Sequence, residues 1–200
     1  MAAVEQPSDE ALIAGIASGD REAFAALYRR RRPDVYRFAL HVSGSHSVAD
    51  DVTQDVFIAV IHGVGRYRAD RSGVVPWLLG IARNHVRRSL DRGWRVVPLP
   101  DAEGGPPRQL AVEPDPLAGI ARRQHAATLR KAVLDLPLKF REAVVLCDLQ
   151  ELGYADAAAA LGCPVGTVRS RLHRGRALLA ARLRGTDDAL FQTPVARWIL

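Results

Sequence analysis

Between Arg95 and Pro116 the chain carries Pro98, Pro100, Pro106, Pro107, Pro114 and Pro116, with Gly104 and Gly105 among them. Proline lacks a backbone donor and clashes with the preceding helical turn, so no helix runs through such a stretch. Adjacent glycines add backbone freedom, and the segment reads as an extended, mobile connection. The segment therefore separates two helical blocks, and the length permits one domain or two small ones whose cores would be thin.

Both flanking blocks show helical periodicity, and no convincing strand alternation appears. In the first, Ser18-Gly19-Asp20 marks a helix start, and Ala23, Phe24, Leu27 and Tyr28 follow at helical spacing. Val35, Phe38 and Ala39 extend that pattern beyond Pro33, and residues 42–47 read as a loop. From Val48 to Val64, a stripe of Val52, Val56, Ala59, Val60 and Gly63 predicts a buried face, with Asp51, Gln54, Asp55 and Ile58 opposite. A polar turn from Gly65 to Gly73 precedes a helix over about 76–90. That helix is expected to bury Leu78, Ile81, Ala82 and Val86 and to present Arg83, Asn84, Arg87 and Arg88. The second block predicts helices over 117–134, from Pro137 to about 149, over 155–161 and over 164–183. The expected fold class is all-α, with two small helical domains joined by a Pro/Gly-rich linker. The boundaries are an N-terminal lead at 1–20, a first domain at 21–93, a flexible linker at 94–123, a second domain at 124–185 and a tail at 186–200.

Charge points to a partner. The net charge is +6, and Lys131 and Lys139 are the only lysines, so arginine supplies nearly all of the basic charge. No acidic residue falls between Ala157 and Gly185, where Arg169, Arg171, Arg174, Arg176, Arg182 and Arg184 do. A one-sign stretch of forked guanidiniums suits a polyanion. Within it, the segment from Tyr154 to His173 fits a helix-turn-helix. Ala158 is small where two helices cross, Gly162 fits a left-handed turn, and Val168 is aliphatic where the second helix packs back. Cys163 is expected at the N-cap and Pro164 at the first helical position. At about 100° per residue, Val165, Val168, Leu172 and Leu179 point inward. Thr167, Arg169, Ser170, His173 and Arg174 then lie toward solvent, where they can reach base edges and phosphates in a major groove.

At this point the chain resembles the extracytoplasmic-function (ECF) group of sigma-70 family RNA polymerase sigma factors. Val165-Gly166-Thr167-Val168-Arg169-Ser170-Arg171-Leu172-His173-Arg174-Gly175-Arg176 is similar to that group's region 4 signature. Ala49-Asp50-Asp51-Val52-Thr53-Gln54-Asp55-Val56-Phe57 is similar to region 2.2, and Trp77-Leu78-Leu79-Gly80-Ile81-Ala82-Arg83-Asn84 to regions 2.3 and 2.4. The resemblance implies a factor that joins core polymerase and directs promoter-specific initiation. Asp50, Asp51, Gln54, Asp55 and Ile58 would dock on the β′ clamp helices, and region 4 on the β flap. Arg169, Ser170, His173 and Arg174 would read the −35 duplex, with Thr167 and Arg171 on phosphates. Tyr67, Arg68, Trp77, Arg83, Asn84, Arg87 and Arg88 would meet the melted −10 strand, with a flipped base held by the loop between Tyr67 and Val75. Trp77 is also a natural core anchor. The implied partners are core RNA polymerase, promoter DNA and an anti-sigma protein. Ala157 departs from the pattern, standing where the group carries a larger aliphatic residue.

Other classes fit less well. A dimeric helix-turn-helix regulator acting without polymerase docking is the main alternative, and it leaves the region 2 motifs unexplained. A protein that only sequesters a partner has no use for the basic face. No Ser/His/Asp arrangement, phosphate-binding glycine loop or paired carboxylates suggests an enzyme. No cofactor is expected, and the histidines and the two cysteines, Cys147 and Cys163, lack metal-ligand spacing. Both thiols are expected to be buried. No signal peptide or apolar run of membrane-spanning length appears, so a cytoplasmic location without direct membrane insertion is expected.

Overall fold

The computed structural model describes residues 6–70, 72–93 and 126–184. The expected linker over 94–123, the tail over 186–200 and the start of the 117–134 helix lie outside those residues.

The N-terminal unit is a bundle of four helices: α1 (Asp9–Ala17), α2 (Arg21–Ser43), α3 (His46–Gly63) and α4 (Val74–Gly93). A short 3-10 turn at Val64–Arg66 follows α3. Asp20 caps α2, its Oδ1 accepting from the Glu22 and Ala23 amides at 2.8 and 3.2 Å. This satisfies donors that the first helical turn leaves orphaned. α2 runs unbroken past Pro33 and ends at Gly44, whose φ is 78°. The loop expected over 42–47 is therefore only Gly44 and Ser45, because Ser45 at once caps α3 through the Val48 amide at 3.3 Å. Leu27, Phe38, Val56, Leu78 and Val86 fill the core. Leu79 is buried as well, whereas Ile81 is only partly covered. Within the expected lead, helix α1 packs on α2, where Asp9 accepts from Arg30 at 2.9 Å and Arg31 at 2.6 Å.

The C-terminal unit contains a helix described over 126–134 (α5), then α6 (Leu138–Val144), α7 (Tyr154–Leu161) and α8 (Val165–Leu183). α6 widens into a π turn at Val145–Leu149, which the apolar periodicity did not announce. Leu136, Val144, Leu146, Leu161, Val168, Leu172 and Leu179 form the core. Phe140 is only partly buried.

The two units are in contact. α4 packs against α7, and Gly80 comes so close to the Ala160 backbone that a Cβ there would lie 3.4 Å from its carbonyl oxygen. Gln150 Nε2 donates to the Asp34 carbonyl at 2.9 Å, and Arg141 Nη1 to the Val42 carbonyl at 2.6 Å. Arg141 also donates to the carbonyls of Leu134 and Leu136, so one guanidinium ties the end of α5 to the end of α2. A variable distance between the units is what the linker prolines alone would suggest. This packed arrangement differs because both units carry surfaces that fit each other.

Candidate nucleic-acid interface

α7, the turn at Gly162 and α8 form the helix-turn-helix. Gly162 ends α7 at φ 61°, and its amide and that of Cys163 donate back to Ala159 and Ala158 at 3.2 and 3.1 Å. A left-handed residue there reverses the chain at no steric cost to glycine. The small side chains of Ala157, Ala158 and Ala160 are buried, so α7 lies close to its neighbours without a bulky residue at position 157. α8 begins at Val165 with Pro164 as N-cap, one residue later than the expected Cys163 cap. Pro164 offers no capping side chain, and its carbonyl accepts from Thr167 and Val168 instead.

Val168, Leu172 and Leu179 are buried as expected, and Gly175 joins them. A Cβ on Gly175 would come within 2.8 Å of Val144 Cγ2, so α6 and α8 touch almost backbone to backbone. The opposite face presents Arg169, Ser170, His173 and Arg174 to solvent, with Thr167 and Arg171 half-buried at its edges. Ser170 Oγ donates to the Thr167 carbonyl at 3.0 Å, and Arg171 Nη1 lies 3.9 Å from Cys163 Sγ. The Arg169 guanidinium sits 5.6 Å from the centroid of the exposed Tyr154 ring. That aromatic support was not foreseen, since it requires knowing that the start of α7 lies beside α8. Arg176 belongs to the other side of the helix. Its fork meets the Asp148 carboxylate at 3.2 and 2.6 Å, which pushes its pKa further up.

The second set of predicted contacts gathers along α4 and the loop before it. Tyr67 and Trp77 are half-buried, with ring centroids 5.1 Å apart, and both pack against the core. Burial, reinforced by Glu10 and Asp9, pushes the Tyr67 phenol up from its ordinary pKa. Arg68, Asn84 and Arg88 are exposed. Arg83 and Arg87 are not presented freely. Arg87 donates from Nε to Glu142 Oε1 at 2.6 Å and from Nη2 to Oε2 at 3.0 Å. Arg83 Nε lies 3.2 Å from the same Oε1. The reason is tertiary: α6 brings Glu142, which has no exposed surface, onto the basic face of α4.

On α3, Asp50, Asp51, Gln54, Asp55 and Ile58 are exposed on one side of the helix. His85 of α4 reaches Asp55 at 3.1 Å. Beside the carboxylates runs an apolar groove lined by Phe24, Tyr28, Phe57, Ile58 and Ile61, together with Arg32. Ile58 is 44% exposed and Ile61 51%, so the surface mixes acid and hydrocarbon. Phe24, Tyr28 and Ile61 were not predicted as part of it. Periodicity gives Phe24 and Tyr28 only a helical spacing, and their edge position appears only when α2 lies against α3.

Cys147 and Cys163 are free thiols, each half-buried rather than fully enclosed. Among the described residues no group of His, Cys, Asp and Glu could hold a metal ion. No helix there is long and apolar enough to cross a membrane.

Known proteins resemble both halves of the chain. Residues 27–96 match the family model for sigma-70 region 2, and residues 126–179 match that for sigma-70 region 4. The chain is 38% identical over 177 residues to the ECF RNA polymerase sigma factor SigC of Mycobacterium tuberculosis, covering 88% of this chain and 92% of that protein. It is 36% identical over 176 residues to SigM of the same species, covering 88% and 85%. Among solved structures, CnrH in complex with the cytosolic domain of CnrY is similar, with a TM-score of 0.68 at 27% identity over 90% of this chain and 99% of that one. The sigma factor RpoE of Bartonella quintana, in complex with the anti-sigma factor NepR, gives 0.64 at 26% identity over 82% and 98%.

Proposed function

The chain belongs to the extracytoplasmic-function group of sigma-70 RNA polymerase sigma factors, and from that premise we propose how its residues divide the work of promoter recognition. Region 4 reads the −35 element as duplex. α8 enters the major groove with Arg169, Ser170, His173 and Arg174 on base edges, while Thr167 and Arg171 hold phosphates. The observation that carries this reading is the composition of the exposed α8 face, where arginine, histidine and hydroxyl groups stand together opposite a fully apolar one.

Region 2 takes the −10 element. Tyr67 and Trp77 offer half-buried aromatic rings for stacking, Asn84 a base-edge contact, and Arg68, Arg83, Arg87 and Arg88 phosphate contacts. Extruding a base costs a few kcal/mol, which stacking on an aromatic ring at about 1–3 kcal/mol can offset. Asp50, Asp51, Gln54, Asp55 and Ile58 dock on the clamp helices of core polymerase, with the neighbouring apolar groove burying hydrocarbon in the same contact. The protein supplies recognition and strand capture and leaves the chemistry to the polymerase. It works in the cytoplasm, where polymerase and chromosome are. An anti-sigma protein is an expected partner, since the solved relative RpoE is in complex with the anti-sigma factor NepR.

Two substitutions separate these roles. Ile58→Asp should lower affinity for core polymerase and leave −35 duplex binding unchanged. Arg174→Ala should do the reverse, weakening −35 binding by about 1–3 kcal/mol. Fluorescence anisotropy with each partner reads both. If Ile58→Asp bound core polymerase as the parent does, the docking assignment would fall.

A further inference from the structure

Glu142 is, among the described residues, the charged side chain with no exposed surface at all, and the groups that hold it belong to the other bundle. Its carboxylate takes both nitrogens of the Arg87 fork, at 2.6 and 3.0 Å, and lies 3.2 Å from Arg83 Nε. A bidentate guanidinium–carboxylate pair has the same geometry as a guanidinium on phosphate oxygens. One fork cannot serve both at once. Around this pair the interface combines close packing, Gly80 on Ala160 and Leu134 on Gly44, with side-chain donors to backbone carbonyls, Gln150 on Asp34 and Arg141 on Val42. The exposed face of α8, in contrast, lies outside it.

We infer that Glu142 is a built-in stand-in for a DNA phosphate: it closes region 4 on region 2, keeps Arg83 and Arg87 off the −10 strand, and leaves the −35 face open. The inference rests on the assignment of those arginines to the −10 strand. In the free chain, −35 duplex binding is then available while strand capture is shut. Separation of the two regions, as on polymerase, exchanges carboxylate for phosphate at the same guanidiniums. Glu142, once exposed, is simply solvated.

The test uses the full chain with Glu142→Gln, which keeps the shape and removes the charge. Gly80→Gln is the second variant. Its side chain wedges the same interface from region 2, against the Ala160 carbonyl, and leaves Glu142 and both arginines intact. Small-angle scattering reads closure, and anisotropy reads binding of a fluorescent single-stranded DNA 12-mer and of a 20-base-pair duplex. Both variants should expand the free protein. If the open form is about one molecule in ten in the parent, they should tighten single-strand binding about tenfold, and duplex binding should stay within about twofold. Adding Arg87→Gln to Glu142→Gln should cancel the gain. The inference is overturned if neither variant expands the protein, or if both expand it with no gain in single-strand binding. Promoter opening by polymerase carrying the Arg87→Gln factor then locates the fault. Normal opening places it in the −10 assignment, and impaired opening places it in the latch.

Discussion

Gly162 and Gly175 do different work at the same motif, and their substitutions should fail for different reasons. At Gly162 the backbone is left-handed, φ 61°, with open space where a Cβ would be. Gly162→Ala should therefore cost about 1–2 kcal/mol of region 4 stability from backbone strain alone. At Gly175 the backbone is ordinary helix, but a Cβ would meet Val144 Cγ2 at 2.8 Å. Gly175→Ala should cost about 1–3 kcal/mol by overpacking, and Val144→Ala beside it should recover part of that loss. Urea unfolding of the single and double variants checks both. Gly162 was legible in the sequence because the turn needs glycine at a fixed distance from Ala158 and Val168. Gly175 was not, because a glycine inside a helix announces only low propensity, and the close approach of α6 is a tertiary fact. His41 gives a pH signature at this scale. Burial, then the charge of Arg130, holds its pKa below the ordinary 6.5. The neutral ring is thus favoured by folding. Its contribution is present above pH 6.5 and is lost as pH falls through the lowered value. Thermal melts should drop on acidification below pH 6.5, and His41→Gln should flatten that part of the profile.

The helices show how far periodicity carries. α3 and α8 were legible almost face by face, because one side of each meets a core and the other meets solvent. Val52, Val56 and Val60 are buried, and Asp51, Gln54, Asp55 and Ile58 are exposed, as their spacing requires. Boundaries were less legible. α2 persists to Ser43 because Gly44 closes it with a left-handed cap, so what looked like a loop is two residues long. The π turn at Val145–Leu149 left no trace in the apolar pattern, since a local change of pitch keeps the same residues buried. Caps offer the clearest test of element stability. Asp20→Ala removes the acceptor of the Glu22 and Ala23 amides and should cost about 1 kcal/mol, while Asp20→Asn should cost little. Chemical denaturation of the two variants distinguishes capping from simple loss of charge.

At the scale of the whole molecule, the two-unit organisation followed from the proline-rich segment, and the membership of each unit followed from ordered motifs. What the sequence did not disclose is the contact between them. Arg83 and Arg87 look like one more exposed basic pair on α4 until α6 delivers Glu142 to them. Likewise the acidic face of α3 is legible, but its companion groove needs α2 and α3 side by side. DNA binding should also carry the mark of many phosphate contacts. The affinity of holoenzyme for promoter DNA should fall steeply with salt, and Arg88→Ala should reduce that slope by about one unit. The central activity is promoter-specific initiation through core polymerase. The direct measurement is run-off transcription with core bacterial polymerase, promoter fragments from the source genome, and the parent or Arg174→Ala protein. Discrete starts that depend on the protein and weaken with Arg174→Ala are the predicted result. Tight, specific DNA binding by the protein alone, with no start conferred on core polymerase, would contradict it.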